Sequence, residues 1–246
     1  TITAAGTIAI DSTVATLAGT QTLTNKTLTA PKINEDVVLT SSATELNLLD
    51  GATVVIPGKV SGTNFTNSLL VGHATTGTLS SAENNIGVGI TALTSLTSGD
   101  FNTAMGGLAL SAISSGANNT AVGYNSLRGS NGESNTAFGA WSLRTTGSGT
   151  YNTGIGRGAL TAVTSGDYNT ALGYESGKAI AGANGNYNLT LGSAAGDNIT
   201  SGAGNVIIGS VDADSATGDR QLKIAGNDGS TSTTWLSGDS SGNLVT

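Results

Sequence analysis

The middle of the chain repeats one pattern of polar, small and apolar residues about every 17 positions. The clearest copies read NTAMGGLAL (102–110), NTAVGYNSL (119–127) and NTALGYESG (169–177). Eight copies open with an asparagine, at spacings of 17, 17, 16, 17, 17, 19 and 17 residues: Asn85, Asn102, Asn119, Asn135, Asn152, Asn169, Asn188 and Asn205. A regular internal period of this length predicts a repeat architecture in which each copy forms one coil.

A glycine stands four positions after each asparagine, where we expect a tight turn. These glycines are Gly89, Gly106, Gly123, Gly139, Gly156, Gly173, Gly192 and Gly209. The residue before each glycine is apolar, as Met105 is, and it shares a strand face with the residue two positions earlier, such as Thr103. We predict that this face points inward. Leu110 and Ile113, with their equivalents in other copies, complete the predicted core.

The predicted fold is all-β, an elongated repeat solenoid of β-roll or β-helix type with coils of about 17 residues. Such a copy has a contour of about 56 Å, enough for one flattened coil with two or three short strands. The recurring asparagines would form a hydrogen-bonded ladder between coils. Each coil offers only about three large inward side chains against the entropy cost of ordering its backbone. We therefore predict a parallel homotrimer.

The chain divides by pattern into four parts. Residues 1–60 are predicted to form an N-terminal shaft with short strands and one short helix near 42–49, where Ser42 and Glu45 form a capping box. Residues 61–84 form a connector, 85–210 an eight-coil roll and 211–246 a C-terminal β connector. The chain begins at Thr1 rather than Met, so we expect a fragment or a processed product.

Composition excludes several classes of protein. The net charge is −7 and there is no basic run, so we expect no nucleic-acid partner. No apolar stretch approaches the length of a membrane span, and we expect no membrane insertion. The chain has no cysteine and a single histidine, His73, so no catalytic triad or metal site built on these residues is predicted within one chain.

Asp100, Glu133 and Asp167 are acidic residues at one repeat position, two before the asparagine. Paired carboxylates can hydrolyse glycosides, which makes a polysaccharide depolymerase an alternative. Ala117 and Thr150 interrupt the series, and solvated turn residues are the preferred interpretation. We predict no catalytic residue and no cofactor.

Aromatic residues also recur at fixed positions. Tyr151, Tyr168 and Tyr187 directly precede the repeat asparagine, and we treat them as possible surface-binding residues for sugars. Cross-coil packing is the alternative. Tyr124 and Tyr174 directly follow the repeat glycine, with Trp141 nearby.

Three segments carry a resemblance to phage fibres. TQTLTNKTLTAPKI (20–33) and ATELNLLDG (43–51) resemble segments of tail-fibre proteins from tailed bacteriophages. The 17-residue copies resemble head repeats of trimeric autotransporter adhesins, which implies a left-handed β-roll. Residues 221–246 are similar to stretches that precede a self-cleaving chaperone domain in phage fibres.

The resemblance implies a structural fibre segment of an extracellular virion, which extends and presents receptor-binding elements during host attachment. The implied partners are other copies of the chain, other fibre or baseplate proteins, and a host cell-surface glycan or protein. A capsid-attached fibre or a bacterial surface adhesin is an alternative. A further alternative is an ice-binding solenoid, because five copies place a threonine directly after the asparagine: Thr103, Thr120, Thr136, Thr153 and Thr170.

Overall fold

A computed structural model of the chain describes residues 58–72, 76–129, 131–145 and 147–245. Most of the predicted shaft, including the helix near 42–49, lies outside these residues. The described residues contain no helix and fourteen strands: β1 Gly58–Gly62, β2 Phe65–Val71, β3 Ala82–Glu83, β4 Ile86–Val88, β5 Thr103–Met105, β6 Thr120–Val122, β7 Thr136–Phe138, β8 Thr153–Ile155, β9 Thr170–Leu172, β10 Leu189–Leu191, β11 Val206–Ile208, β12 Leu222–Asn227, β13 Ser232–Gly238 and β14 Leu244–Val245.

The strands stack in chain order into one parallel ladder. Strand β2 pairs with β4, and each later strand pairs with the next through β12. The register joins equivalent repeat positions, so that Thr103 pairs with Thr120 and Ala104 with Ala121. This arrangement confirms the predicted all-β solenoid with 17-residue coils. The ladder also takes in β2 and β12, one strand beyond each end of 85–210.

Antiparallel strands flank the ladder at both ends. Strand β1 pairs with β2, and β12, β13 and β14 form a meander.

Two columns of apolar side chains fill the roll. The leucines four positions after the repeat glycine are fully buried: Leu93, Leu110, Leu127, Leu143 and Leu160. The second column is also fully buried, and its members are Leu96, Ile113, Val163, Ile180 and Ile199. Both columns were predicted from the sequence. Each such side chain contributes about 1.5–3 kcal/mol when it leaves water.

The predicted orientation of the repeat strands is wrong. In each three-residue strand the middle residue is buried, as Ala104 is, while Thr103 and Met105 on either side are not. Asn102 is itself buried, and alternation along the strand then turns residue 104 inward and residues 103 and 105 outward. The space inside is narrow: a Cβ atom added to Gly87 would lie 2.5 Å from Leu70 Cδ2. Only small residues therefore fit at most of the middle positions.

The eight repeat asparagines form a buried ladder along the roll. The backbone N–H of Asn152 donates to Asn135 Oδ1 at 2.9 Å, and its side-chain amide donates to the same oxygen at 3.2 Å. The amide also donates to the carbonyl oxygen of Gly166 at 2.8 Å, in the turn that leads to the next coil. The ladder thus joins successive coils and holds each turn against its strand.

The repeat glycines stack directly on one another where the strands end. All eight have φ between +110° and +136°, a region that side chains disfavour. A Cβ atom at Gly156 would lie 2.3 Å from the carbonyl oxygen of Gly173. Backbone therefore touches backbone at this corner of the coil, which explains why glycine occupies it in every copy.

Candidate functional site

An exposed sheet face runs the length of the roll. We define the outer face as the first and third residues of strands β4–β11. None of these sixteen residues is buried: Ile86, Val88, Thr103, Met105, Thr120, Val122, Thr136, Phe138, Thr153, Ile155, Thr170, Leu172, Leu189, Leu191, Val206 and Ile208. Phe138 is 56% exposed and Met105 49% exposed. At about 4.8 Å per coil, the face presents an apolar column about 34 Å long.

The five threonines lie on this outer face beside the apolar column. Thr120, Thr136 and Thr170 are exposed, and Thr103 and Thr153 are half-buried. The sequence pattern predicted that this strand face points inward, and inward threonines could not bind ice. Their outward position removes that argument against an ice-binding surface. The neighbouring column mixes methionine, valine, phenylalanine, isoleucine and leucine, so the face as a whole is uneven.

The three tyrosines named from the sequence stack on one another. The ring centroids of Tyr151 and Tyr168 lie 4.9 Å apart with the planes 5° from parallel, and those of Tyr168 and Tyr187 lie 4.9 Å apart at 2°. Both faces of the Tyr168 ring are therefore occupied by protein. All three tyrosines are exposed, and the ring faces that meet pack coil against coil.

Asp100 and Asp167 interact with turn backbone. Asp100 Oδ1 accepts a hydrogen bond from the backbone N–H of Glu83 at 2.8 Å. Asp167 Oδ1 accepts one from the backbone N–H of Thr150 at 2.7 Å. Glu133 is exposed. Since the two aspartates satisfy donors in the preceding turn, these contacts account for them structurally.

A second aromatic cluster lies just beyond the repeat glycines. We define the post-glycine cluster as Tyr124, Asn125, Trp141, Arg157 and Tyr174. Tyr124 meets Trp141 edge to face, with centroids 6.4 Å apart and planes at 73°. The Arg157 guanidinium lies 4.4 Å from the Trp141 ring centroid and 5.5 Å from that of Tyr174. It also donates to the Tyr174 hydroxyl at 3.2 Å. The cluster spans four successive coils.

Charged residues continue from this cluster along the roll. Arg157 lies 3.6 Å from the Glu175 carboxylate, and Lys178 lies 2.9 Å from Glu175 and 3.2 Å from Asp197. The hydrogen bond from Lys178 is the largest of the causes that lower the pKa of the Glu175 carboxyl. The pKa of Lys178 is raised by hydrogen bonds to Glu175 and Asp197. The Arg157–Glu175 and Lys178–Asp197 pairs bridge adjacent coils, and each of these surface pairs contributes little stability individually.

Asp212 stands at the end of this series. Burial raises the pKa of its carboxyl, and a hydrogen bond with Asp197 adds to the shift. Lys223 opposes the shift, but its amine lies 2.7 Å from Asp214 and is shared with that carboxylate.

Within the part of the chain that the structure describes, no group of three or more histidine, aspartate or glutamate side chains is placed to hold a metal ion. No helix among those residues could cross a membrane. His73 lies outside the described residues.

Sequence reasoning noted Tyr124, Trp141 and Tyr174 but missed Arg157 as the residue that joins them. The signal was present, since Tyr124, Arg157 and Tyr174 all directly follow a repeat glycine. Parallel in-register stacking brings such equivalent positions together.

Comparison with known proteins gives no relative for this chain. No protein-family model matches it, and searches of characterised proteins and of solved structures find no match.

Proposed function

We propose that the chain is a structural segment of a bacteriophage fibre in which three copies associate in parallel. It acts in the extracellular virion as a stiff spacer that extends and presents receptor-binding elements to the host cell. Its partners are the other two copies, adjoining fibre or baseplate proteins, and a host-surface glycan or protein. The flanking segments 20–33, 43–51 and 221–246 support the fibre assignment through their resemblance to phage fibres.

The outer face is the observation that carries the proposal. Contiguous exposed apolar surface on a soluble protein marks an interaction site. This one is straight, repetitive and as long as the roll, so its complement must also be straight and repetitive. Another copy of the same roll meets that requirement. Three copies around an axis would each bury the apolar column that ends in Ile208, and a closed ring of three leaves no such column in water.

The C-terminal meander supports a continuing assembly. Trp235 is 70% exposed and Leu244 66% exposed. These side chains lie past the last coil, where further fibre or partner chains would cover them.

Charge placed on the outer face tests the proposal. The double variant Phe138→Asp, Ile155→Asp puts two carboxylates where three chains would meet, and we expect it to abolish the trimer in sedimentation experiments. The control, Ala112→Asp, Ser148→Asp, adds the same charge at exposed positions outside the strands. Retention of the trimer in the first variant would overturn the assignment of the interface.

Ice binding is a second candidate function, favoured by the outward threonines alone. Threonine columns at a regular coil spacing could order water across the face. Thermal hysteresis of the purified chain is the test. Thermal hysteresis that is present in the native chain and lost in Thr136→Tyr would support ice binding. Absence of thermal hysteresis in the native chain would exclude it. The adjacent apolar column favours the fibre.

A further inference from the structure

We propose that the post-glycine cluster is a binding site for a neutral oligosaccharide. This inference rests on the proposed attachment function, and it names the class of host ligand that the roll itself would contact. The cluster lies beyond the glycines at which the repeat strands end. It therefore shares no residue with the outer face that would pack against partner chains.

Tyr124 provides a platform for a sugar ring. Two atoms of its ring, Cδ2 and Cε2, lie 3.6 and 4.0 Å from where a Cβ of Gly107 would be. One side of the ring thus rests on the backbone of the preceding coil, at a position where Gly107 has no side chain. Tyr124 remains 52% exposed. A flat aromatic ring that is about half exposed offers an apolar surface to the C–H face of a pyranose.

Asn125 adds an unused hydrogen-bonding group at the same place. The residue is buried, with only 7% of its surface exposed, and no residue in the described part of the chain donates a hydrogen bond to its Oδ1. A buried acceptor without a donor is costly and rare in proteins. A sugar hydroxyl that entered beside Tyr124 would supply the donor. Because this oxygen is covered in the free protein, binding must shift a neighbouring side chain. Trp141 occupies the same repeat position as Asn125, one coil later, and we expect its fluorescence to report this movement.

The charges of the site favour a neutral ligand over an anionic one. Arg157 lies over the rings of Trp141 and Tyr174, but Glu175 already lies 3.6 Å from it. The whole chain carries a net charge of −7. A polyanion would therefore meet general repulsion and a cation that is already paired. Arginine, glutamate and amide groups remain available to hydrogen-bond with hydroxyls.

The stacked tyrosines offer a poorer site. Both ring faces of Tyr168 are covered by Tyr151 and Tyr187, which leaves only the edges of this ring for a ligand. Tyr187, an end ring that is 64% exposed, is accordingly the variant that separates the two sites, because its removal would weaken binding if the stack held the ligand.

Tryptophan fluorescence can read this site directly. The chain has two tryptophans, so Trp235→Phe leaves Trp141 as the only one. In that background we would titrate the full chain with maltohexaose, cellohexaose and mannohexaose as neutral probes, and with a heparin hexasaccharide as the anionic probe. We expect Trp141 emission to change with at least one neutral probe. Tyr124→Ala should weaken that binding at least tenfold, and Tyr187→Ala should leave it unchanged.

Three results would overturn the proposal. They are no response to any neutral probe up to about 10 mM, binding confined to the heparin hexasaccharide, or equal weakening by Tyr124→Ala and Tyr187→Ala. The molecular mass of each variant in solution would also be measured by sedimentation. If the protein is a trimer that binds no neutral sugar, the proposed sugar site is wrong and the proposed fibre function is unaffected. If the protein is a monomer, the proposed fibre function is wrong.

Discussion

Asn152 Oδ1 accepts two hydrogen bonds from Asn169, one coil later, from the backbone N–H at 3.0 Å and from the side-chain amide at 3.1 Å. Both residues are completely buried. The same pair of contacts recurs between most neighbouring repeat asparagines. The ladder therefore supplies hydrogen-bond partners to polar groups that lose contact with water when the coils stack.

Replacing Asn152 with alanine should destabilise the roll by about 2–4 kcal/mol, because buried groups on Asn169 and Gly166 lose their partners. The measurement is the midpoint of thermal or denaturant unfolding. Asn184→Ala is the control, since this asparagine lies exposed in a turn and its side chain makes no hydrogen bond to any described residue. Equal unfolding midpoints for the two variants would mean that the ladder is not a source of stability.

Gly156→Val should be among the most damaging substitutions in the roll. A valine there combines a φ of +129° with a Cβ that would lie 2.3 Å from the Gly173 oxygen. We expect a loss of at least several kcal/mol through backbone strain and overpacking. Ala117→Ser, in a turn of variable sequence, should be near neutral. Comparable melting temperatures for these two variants would contradict the stacking of the repeat glycines.

Ser134→Asn should stabilise the protein. Ser134 has a φ of +57°, a left-handed conformation that asparagine tolerates better than serine. Asn118 already occupies the equivalent position with a φ of +59°. We expect a gain of about 0.5 kcal/mol in unfolding free energy. Ser148→Asn, at an exposed turn residue without positive φ, should give no gain, and a gain of the same size there would remove the conformational explanation.

Asp212→Asn should raise stability near pH 7 and lose this advantage in acid. The pKa of Asp212 is raised above its ordinary value of 3.8, so the folded chain holds its proton more tightly than the unfolded chain does. Its favourable contribution is complete below the ordinary pKa and is lost as the pH rises through the higher folded pKa. Asparagine keeps the neutral form at every pH.

The difference in melting temperature between Asp212→Asn and the native chain should therefore shrink as the pH falls from 7 towards about 3.5. Glu133→Gln removes one carboxylate from an exposed turn residue and serves as the control for net charge. A difference that is constant with pH, or that grows in acid, would contradict the assignment.

The repeat itself could be predicted from the sequence because each structural requirement recurs. Glycine is needed wherever backbone stacks on backbone, and asparagine wherever the ladder passes, so period and fold class followed from spacing alone. Leu110 and Ile113 were placed in the core for the same reason.

The outer face could not be predicted correctly from apolarity. Met105 and Phe138 look like core residues, and a chain considered alone gives no reason to expose them. The error came from taking the larger residue of each strand as the inward one, although buried Asn102 fixes the alternation and leaves room only for Ala104. The post-glycine cluster was missed because Arg157, a charged residue, was not considered together with the aromatic residues of adjacent coils.

The mass of the native chain in solution tests the fibre proposal most directly. Sedimentation equilibrium over a dilution series through the micromolar range, followed with circular dichroism, would give assembly and folding together. We expect three times 24.1 kDa and a loss of β signal whenever the trimer dissociates. A well-folded monomer of 24.1 kDa at micromolar concentration would contradict the trimer and leave the outer face without its proposed partners.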